Sequence, residues 1–456
     1  MTENAIHAMD AQARFCARPG RNIWQLRSAN GEVLWVWITW AFTMYWILFV
    51  AGAFLGRKDL NSLGGVIILG VLAWVLTERL WVRLDAVVVT SLIAAVFLPL
   101  LQIVAGSAPE PKALFKHVSL CLVMAASRVL QLPVAFTSKM RGPLAAHVLT
   151  ILLISLTIYR GASWDGGSRH SGLFDNPNNL ALIPFLLLFL VDPVADGVTL
   201  RFAAHAFVVA VLAFSGTSGA GVAYAIGLAV HLRGTISRKW RAFLYTSVSV
   251  SGLAVVIFLA MNGGRVLPET RLTNQVSVMR LQIQNVLAGG DISYYEQERI
   301  LGPGSASGIW RIAHWRRTFA TYMNGTTGQR AFGFGLGSSA RMLGKLPHNE
   351  YLRILFEQGI IGFFLFVFAW HRIITTAPAH VRYIGLIVAI YSFSENNLDN
   401  FPFMALLILC LSARGVSDSA RTRTTRAAVT ASNAAVQRAW ASPRKIYSPT
   451  GFETSI

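Results

Sequence analysis

The residue best suited to chemistry is His348, which ends a long polar segment and directly precedes an apolar run. A neutral imidazole can accept a proton near neutral pH, as a general base requires. A helix is predicted to begin just after His348, and its positive terminus favours the neutral imidazole. We therefore interpret His348 as a candidate catalytic base.

Arginines cluster in the same polar segment, which runs from Asn262 to Glu350. Guanidinium forks bind phosphate oxygens in pairs, so the cluster predicts an anionic ligand such as a diphosphate. Attraction to anionic lipid head groups would explain the same charge excess. The pattern SGIWRIAHWRRTFATY predicts an amphipathic helix over Ser307 to Tyr322, with Trp310, Ala313, Phe319 and Tyr322 on its apolar face. Its other face presents Arg311, His314 and Arg317 or Thr318 at spacings of three and four.

The composition requires a membrane to position these residues. Hydrophobic residues make up 54% of the chain and charged residues 13%, against roughly 25% charged in an ordinary soluble domain. Apolar runs of about 20 residues recur, and each can cross a bilayer as a helix. The sequence therefore predicts an all-α polytopic membrane protein with about twelve transmembrane helices and one large, partly helical loop outside the bilayer.

The predicted organisation has five parts. A polar tail (1–32) precedes nine spans (33–261), the large loop carrying the histidine motif (262–350), three spans (351–413) and a basic, disordered tail (414–456). The individual spans are Val33–Leu55, Leu63–Trp81, Ala86–Val104, Leu114–Leu132, Leu144–Tyr159, Leu180–Val191, Val198–Phe214, Gly219–Leu232, Ala242–Met261, Tyr351–Trp370, Tyr383–Phe393 and Phe403–Ala413.

Lysine and arginine in the short loops predict the orientation. They are frequent in the N-terminal tail and in alternate loops, among them Arg79 with Arg83, Lys139 with Arg141, and Lys239 with Arg241. The opposite short loops hold few. Both termini are therefore expected inside and the large loop outside.

With this topology, polar segments from distant parts of the chain meet on the outer face. They are SRHSGLFDNPNNLA (168–181), FSGTSGAG (214–221), the segments around Arg311 and His348, and FSENNLDNFP (393–402). We expect one composite site beneath the large loop. The glycine-rich FGFGLGSS (332–339) predicts a flexible connector whose backbone can pass close to a neighbouring part of the protein or to a ligand. Glu357, inside a span, is expected to pair with Arg353 one turn earlier.

Several of these motifs together resemble a known family. HNEYLRILFEQGIIGFFLF (348–366) resembles the signature that closes the large periplasmic loop of the O-antigen ligase and O-antigen polymerase superfamily. Arg311 with Trp315, the glycine turn, and the Asn-Pro-Asn element at 176–178 are similar to other motifs of that family. At Ser218, where members of the family often carry a basic residue, this chain departs from the pattern, so Arg169 or Arg160 would have to replace it.

The resemblance implies an inverting, metal-independent glycosyltransferase without a cofactor. It would move glycan from an undecaprenyl-diphosphate carrier to an acceptor hydroxyl at the periplasmic face of the bacterial inner membrane. His348 would be catalytic, and the substrate would contact Arg311, Arg169, Asn349, Asn176, Asn178, Arg317 and His314. Since Asn176, Pro177 and Asn178 also suit the start of a helix, a capping role is an alternative for the two asparagines.

The favoured function is an exopolysaccharide or O-antigen polymerase, whose acceptor would be a growing glycan. An O-antigen ligase is the first alternative, and its acceptor would be a lipid A core. FSENNLDN is reminiscent of exopolysaccharide-type polymerases, which favours the polymerase. A twelve-span transporter or flippase is the main alternative from another class, and it predicts charged residues lining a mid-membrane pathway. No nucleic-acid partner is expected.

Overall fold

The computed structural model describes residues 21–79, 85–130, 134–158, 171–174, 176–191, 197–235 and 307–412. This part of the chain is helical and contains no strand. We number its α-helices in chain order: α1 Arg21–Leu55, α2 Lys58–Arg79, α3 Ala86–Val104, α4 Pro111–Leu130, α5 Val134–Leu153, α6 Pro177–Leu190, α7 Val198–Ser215, α8 Ser218–Thr235, α9 Ser307–Met323, α10 Thr327–Phe332, α11 Ser338–Leu343, α12 Glu350–Thr376, α13 Ala379–Tyr391 and α14 Phe401–Ser412.

The helices have the length and composition of an all-α membrane protein. Within the described residues, five are long and apolar enough to cross a bilayer: Val36–Leu55, Asp59–Thr77, Ala86–Val104, Val198–Ser215 and Glu350–Thr376. Four more are apolar but shorter: Leu144–Ile158, Pro177–Leu190, His380–Tyr391 and Phe401–Ser412. The prediction of helical membrane segments is confirmed, and the bounds of α3 match their predicted values. The predicted ninth span, Ala242–Met261, and most of the large loop lie outside the described residues.

Local sequence explains where the helices begin and end. Asn176 caps α6, accepting a hydrogen bond from the Asn178 backbone at 2.9 Å, and Pro177 occupies the first turn. This confirms the predicted capping of that helix. Gly216 ends α7 in the left-handed conformation (φ 58°), which glycine adopts without steric cost.

The candidate functional site lies at one end of the bundle, which we call the site end. Helices joined by short turns run antiparallel, so α1, α3 and α7 end where α2, α4 and α8 begin. The segment between α13 and α14 joins this end, because Lys116 near the start of α4 forms an ion pair with Asp399 at 2.9 Å. A glycine contact places α8 there too: a Cβ on Gly219 would lie 2.4 Å from Ser394 Oγ.

Helix α12 is broken at Gly359, which has φ 67° and ψ −175°. The glycine-rich segment passes through the break: the Phe334 N–H donates to the Phe356 carbonyl at 3.0 Å, and the two rings stack at 4.7 Å. Gln102 of α3 donates to the Glu357 carbonyl at 2.7 Å, which satisfies an acceptor freed by the break.

The predicted close approach of the glycine segment is thus confirmed, and its partner is the broken helix. Its residues Gly333–Ser339 are buried, so the segment is a packed element of the fold. We had expected a flexible connector. Packing and flexibility cannot be told apart from a run of glycines, because the same small residues serve both.

Candidate functional site

Glu395 lies at the centre of the site and is 6% exposed. Its Oε1 is 2.8 Å from His348 Nδ1, and its Oε2 is 3.4 Å from Arg311 Nη2. The Asn178 side-chain amide donates a short hydrogen bond to the same Oε2. We call these four residues (Asn178, Arg311, His348 and Glu395) the Glu395 cluster.

The cluster joins four segments that are far apart in sequence. Asn178 is held in the first turn of α6 by the capped start of that helix, and its Oδ1 accepts from Thr217 Oγ1 at 3.4 Å. Thr217 belongs to the FSGTSGAG segment just before α8. The polar segments that were expected to meet are therefore in contact with one another, and Arg169 lies outside the described residues.

The backbone at His348 is strained and held on both sides. His348 has φ 49° and is the only non-glycine residue with positive φ in the described part of the chain, a conformation that is uncommon for side chains larger than glycine. On its N-terminal side, Trp315 Nε1 donates to the Pro347 carbonyl at 2.6 Å. On its C-terminal side, Asn349 caps α12, and the Glu350 N–H donates to the Ser392 carbonyl at 2.8 Å. Strain maintained by surrounding contacts is typical of functional positions.

Glu395 determines which ring nitrogen of His348 carries the proton. A carboxylate accepts hydrogen bonds, so Nδ1–H faces Glu395 and the neutral ring presents Nε2 as a proton acceptor. The imidazole is 28% exposed, so a substrate can reach it. The sequence attributed the neutral form to the helix terminus. In the structure, Glu395 contacts the ring directly. It therefore selects the tautomer, which a helix terminus does not do.

Arg311 is anchored at the edge of the cluster with its guanidinium 22% exposed. Its Nη1 donates to the Ser394 carbonyl at 2.8 Å. A guanidinium has five N–H donors, so the contacts of Arg311 with Ser394 and Glu395 leave further donors for a ligand. Since Glu395 compensates its charge, Arg311 acts as an oriented donor, and a diphosphate would need further cations nearby.

An aromatic side chain and a lysine flank the cluster. The Trp310 ring stacks on His314 at 4.8 Å and meets His348 edge-on at 5.8 Å. Lys345 Nζ lies 5.5 Å from the centre of the Trp310 ring, within the range of a cation–π interaction. Lys345 therefore adds positive charge on the Trp310 side of the cluster, and sequence reasoning did not single it out.

The other predicted ligands have different surroundings. His314 is 6% exposed, and its Nε2 donates to the Lys345 carbonyl at 3.0 Å. Burial lowers the pKa of His314, and the neighbouring positive charges of Arg317 and Lys345 act in the same direction. Arg317 is exposed and outside the cluster. Asn176 and Asn349 use their side-chain oxygens as helix caps.

The predicted helix at Ser307–Tyr322 is confirmed as α9, and the expectation that its apolar face lies along the membrane surface stays a prediction. Phe319 is 49% exposed, whereas His314, Thr318 and Tyr322 line the buried side at spacings of four. The hydroxyl of Thr318 donates to the His314 carbonyl at 2.7 Å. The polar groups on this face find partners in the protein, which allows them to be buried in place of an apolar ring.

A second buried charged group lies one turn further along α12, and we call it the Arg353 cluster. Arg353 is 3.0 Å from Asp399 and 3.5 Å from both Glu350 and Glu357, which confirms the predicted pair with Glu357. Burial alone would raise the pKa of the Asp399 carboxyl, but Arg353 and Lys116 hold it below its usual range. Ser339 of the glycine-rich segment donates a short hydrogen bond to Glu357. This cluster therefore ties α4, α11 and α12 to the Ser394–Asn400 segment.

Sequence reasoning missed Glu395 as the organiser of the site. The sequence analysis includes it only as part of the polar outer segment FSENNLDNFP. The available signal was an acidic residue in a polar outer segment, but nothing in the sequence shows that it lies beside His348, 47 residues earlier.

Comparisons with known proteins do not identify a family. A scan against protein-family models finds no match for the chain, and a search of curated proteins finds no significantly similar sequence. The function is therefore inferred from the geometry of the Glu395 cluster and from the motifs in the sequence.

Proposed function

We propose that the protein is a membrane glycosyltransferase that moves glycan from an undecaprenyl-diphosphate carrier to an acceptor hydroxyl. The observation that carries the proposal is the pairing of His348 with Glu395 beside Arg311. It combines an oriented proton acceptor with a guanidinium at the water-exposed end of a helical membrane bundle. The resemblance of the HNEYLRILFEQG segment to the O-antigen ligase and polymerase superfamily supports the same function.

In the proposed reaction, the acceptor hydroxyl attacks the anomeric carbon of the carrier-linked sugar. His348 Nε2 takes the hydroxyl proton while the new C–O bond forms. The bond between the anomeric carbon and the diphosphate oxygen breaks, and its electron pair leaves with the diphosphate. Attack from the face opposite the leaving group inverts the anomeric configuration. The proton then passes from His348 to water, which restores the base.

The cationic groups would act on the leaving group. Negative charge builds on the diphosphate as the bond breaks, and donors already oriented toward it stabilise that charge. Arg311 and Lys345 are the described residues placed to do so beside His348, and Arg169 is a further candidate from the sequence. Glu395 is engaged by His348, Arg311 and Asn178, and Asp399 by Lys116 and Arg353. Because these carboxylates already have partners, we propose a metal-independent reaction and expect turnover to survive EDTA.

The arrangement in the cell is part of the proposal. We propose about twelve spans in the bacterial inner membrane, both termini in the cytoplasm and the site end facing the periplasm. We favour polymerisation over ligation because Glu395 belongs to FSENNLDN, the segment reminiscent of exopolysaccharide-type polymerases.

The deciding experiment reconstitutes the purified full-length protein with a lipid-diphosphate oligosaccharide. A growing ladder of products supports a polymerase. Transfer only onto a lipid A core supports a ligase. Movement of the lipid-linked glycan across the bilayer without transfer would contradict the proposal and favour a flippase.

A further inference from the structure

A cavity opens at the site end, where Asp399 and Asn400 of the Ser394–Asn400 segment form part of its wall. Its volume is about 270 Å³, close to the lower end of the range for small-molecule sites, roughly 300–1,000 Å³. Three aromatic residues and four residues with amide or carboxylate groups form part of its walls: Tyr45, Phe49, Phe174, Asn61, Asn179, Asp399 and Asn400.

The position of the cavity connects it to the Glu395 cluster through neighbouring residues. Asn178 donates to Glu395, and the next residue, Asn179, lines the cavity. In the same way, Glu395 and Asn400 are separated by one short segment with a single helical turn at Asn397–Asp399. A ligand held in the cavity would therefore lie close to the Glu395 cluster.

The chemistry of the walls favours a neutral, hydroxyl-rich ligand. Each asparagine amide offers both donors and an acceptor, which suits hydroxyl groups that also donate and accept. The rings of Phe49 and Phe174, 5.0 Å apart, provide an apolar surface for the C–H face of a sugar ring.

Two other ligand classes fit less well. A phosphate needs cationic donors, and the described lining residues include no lysine or arginine. The carboxylate of Asp399 is already compensated by Lys116 and Arg353 at 2.9 and 3.0 Å, so it does not call for a cationic ligand. An acyl chain would bury the amides of Asn179 and Asn400 without hydrogen bonds, which is unfavourable.

We propose that this cavity is a binding subsite for a neutral sugar residue of the glycan. This proposal rests on the proposed glycosyl transfer for its role, because it deepens that function by placing a sugar next to the Glu395 cluster. Binding of sugar to the cavity can nevertheless be measured without any turnover.

The test uses the full-length protein in lipid nanodiscs and saturation-transfer NMR. The probes are the methyl glycosides of glucose, galactose, mannose and N-acetylglucosamine. We expect at least one of them to receive saturation from the wild-type protein. Asn179→Leu and Asn400→Leu should bind that probe about tenfold more weakly, because each removes hydrogen-bonding groups from the site. Asn324→Leu is the matched control, since Asn324 is an exposed asparagine at the end of α9.

If leucine at either position prevents folding, the milder Asn179→Ser and Asn400→Ser variants replace it, with thermal profiles checked against the wild type. The proposal is overturned if no probe receives saturation above that seen with empty nanodiscs, or if folded variants bind as tightly as the control.

The two proposals fail separately. Sugar binding that depends on Asn400 in a protein without transfer activity would contradict the glycosyltransferase and keep the sugar site. Transfer activity without sugar binding at the cavity would contradict the sugar site and leave the glycosyltransferase proposal standing. His348→Ala should retain probe binding, which would place this subsite apart from the base.

Discussion

At the residue scale, Glu395 connects an imidazole, a guanidinium and an amide through its two oxygens. Oε1 faces His348, and Oε2 accepts from Arg311 and Asn178. Loss of this one carboxylate would leave three polar groups without their partner. The behaviour of the site can therefore be tested by substitutions at its members, with the fold monitored independently.

The first prediction concerns His348. We expect His348→Asn and His348→Ala to lower kcat by about a hundredfold to ten-thousandfold, the usual contribution of a positioned base. Binding of the carrier lipid should change little, because a proton acceptor acts chiefly in the transition state. Asparagine tolerates positive φ, so His348→Asn is the variant that preserves the local backbone. Single-turnover rates and carrier binding, measured on folded protein, provide the check.

Glu395→Gln is the companion variant, and it should also lower kcat because a glutamine amide no longer selects the productive tautomer. A folded His348→Asn protein with near-normal transfer rates would show that the mechanism is wrong.

The second prediction concerns Arg311. Arg311→Ala should weaken both carrier binding and turnover, since the diphosphate is charged before and during bond breaking. Arg311→Lys should restore little, because lysine cannot replace the planar fork that contacts Ser394 and Glu395 together. Arg317→Ala is the matched control from the same helix. Equal losses in the Arg311 and Arg317 variants would argue for a general surface-charge effect.

The third prediction concerns the pH dependence of stability. Burial lowers the pKa of His314 in the folded protein, while an unfolded histidine titrates near 6.5. As the pH falls through about 6.5, the unfolded chain binds a proton that the folded chain does not, so stability decreases. The decrease should level off once the pH is below the lowered pKa of the folded state.

His314→Gln should therefore show a shallower loss of thermal stability than the wild type between about pH 7.5 and pH 5.5. Thermal unfolding in detergent at a series of pH values measures this difference. Identical pH slopes for the two proteins would contradict the role of His314.

At the element scale, the break in α12 is what brings the glycine segment and the membrane helix together. A Cβ on Gly359 would lie 2.3 Å from the Ala331 carbonyl oxygen, and one on Gly333 would lie 2.2 Å from that of Glu357. Both obstacles are backbone atoms, which cannot turn aside as a side chain can. The two glycines are therefore required at these positions for steric reasons as well as for their positive φ.

The fourth prediction follows from this contact. Gly333→Ala and Gly359→Ala should each lower the melting temperature strongly or prevent accumulation of folded protein. Gly344→Ala is the matched control: Gly344 also has positive φ (78°), but a Cβ there would meet nothing within 4 Å. In the control, the free energy of unfolding should fall by only about 1–2 kcal/mol, the cost of placing alanine in the left-handed conformation. Similar losses in all three variants would show that φ alone matters.

The sequence predicted the elements better than their contacts. The bounds of α3 and the capped start of α6 follow from local signals, namely a continuous apolar run and an Asn-Pro start. The Arg353–Glu357 pair follows from helical spacing. The partner of His348 does not follow, because Glu395 is brought to it by the packing of α12 against the segment before α14. The buried side of α9 does not follow either, since hydrophobicity alone does not show which polar groups find partners.

At the scale of the whole molecule, the site end and the opposite end of the bundle should face different compartments. The chain carries a formal net charge of +19, and the loops opposite the site end are the ones rich in arginine and lysine. The positive-inside rule predicts that those loops lie in the cytoplasm.

The fifth prediction tests this orientation with single cysteines. In a background without Cys16, Cys121 and Cys410, Asn324→Cys should react with an impermeant thiol reagent in intact spheroplasts. Thr375→Cys, exposed near the far end of α12, should react only after lysis. The reverse labelling pattern would show that the site end faces the cytoplasm and would contradict the proposed periplasmic site.

The distances in sequence across the Glu395 cluster also have a consequence for biogenesis. Asn178 and Glu395 are separated by 217 residues, so the ribosome must synthesise most of the chain before the last member of the cluster exists. A nascent protein with α6 to α8 already inserted would hold Asn178 and Thr217 without their carboxylate. The Glu395 cluster can thus be completed only after the final hairpin of helices has been made, so under the proposed function an unfinished chain would be inactive.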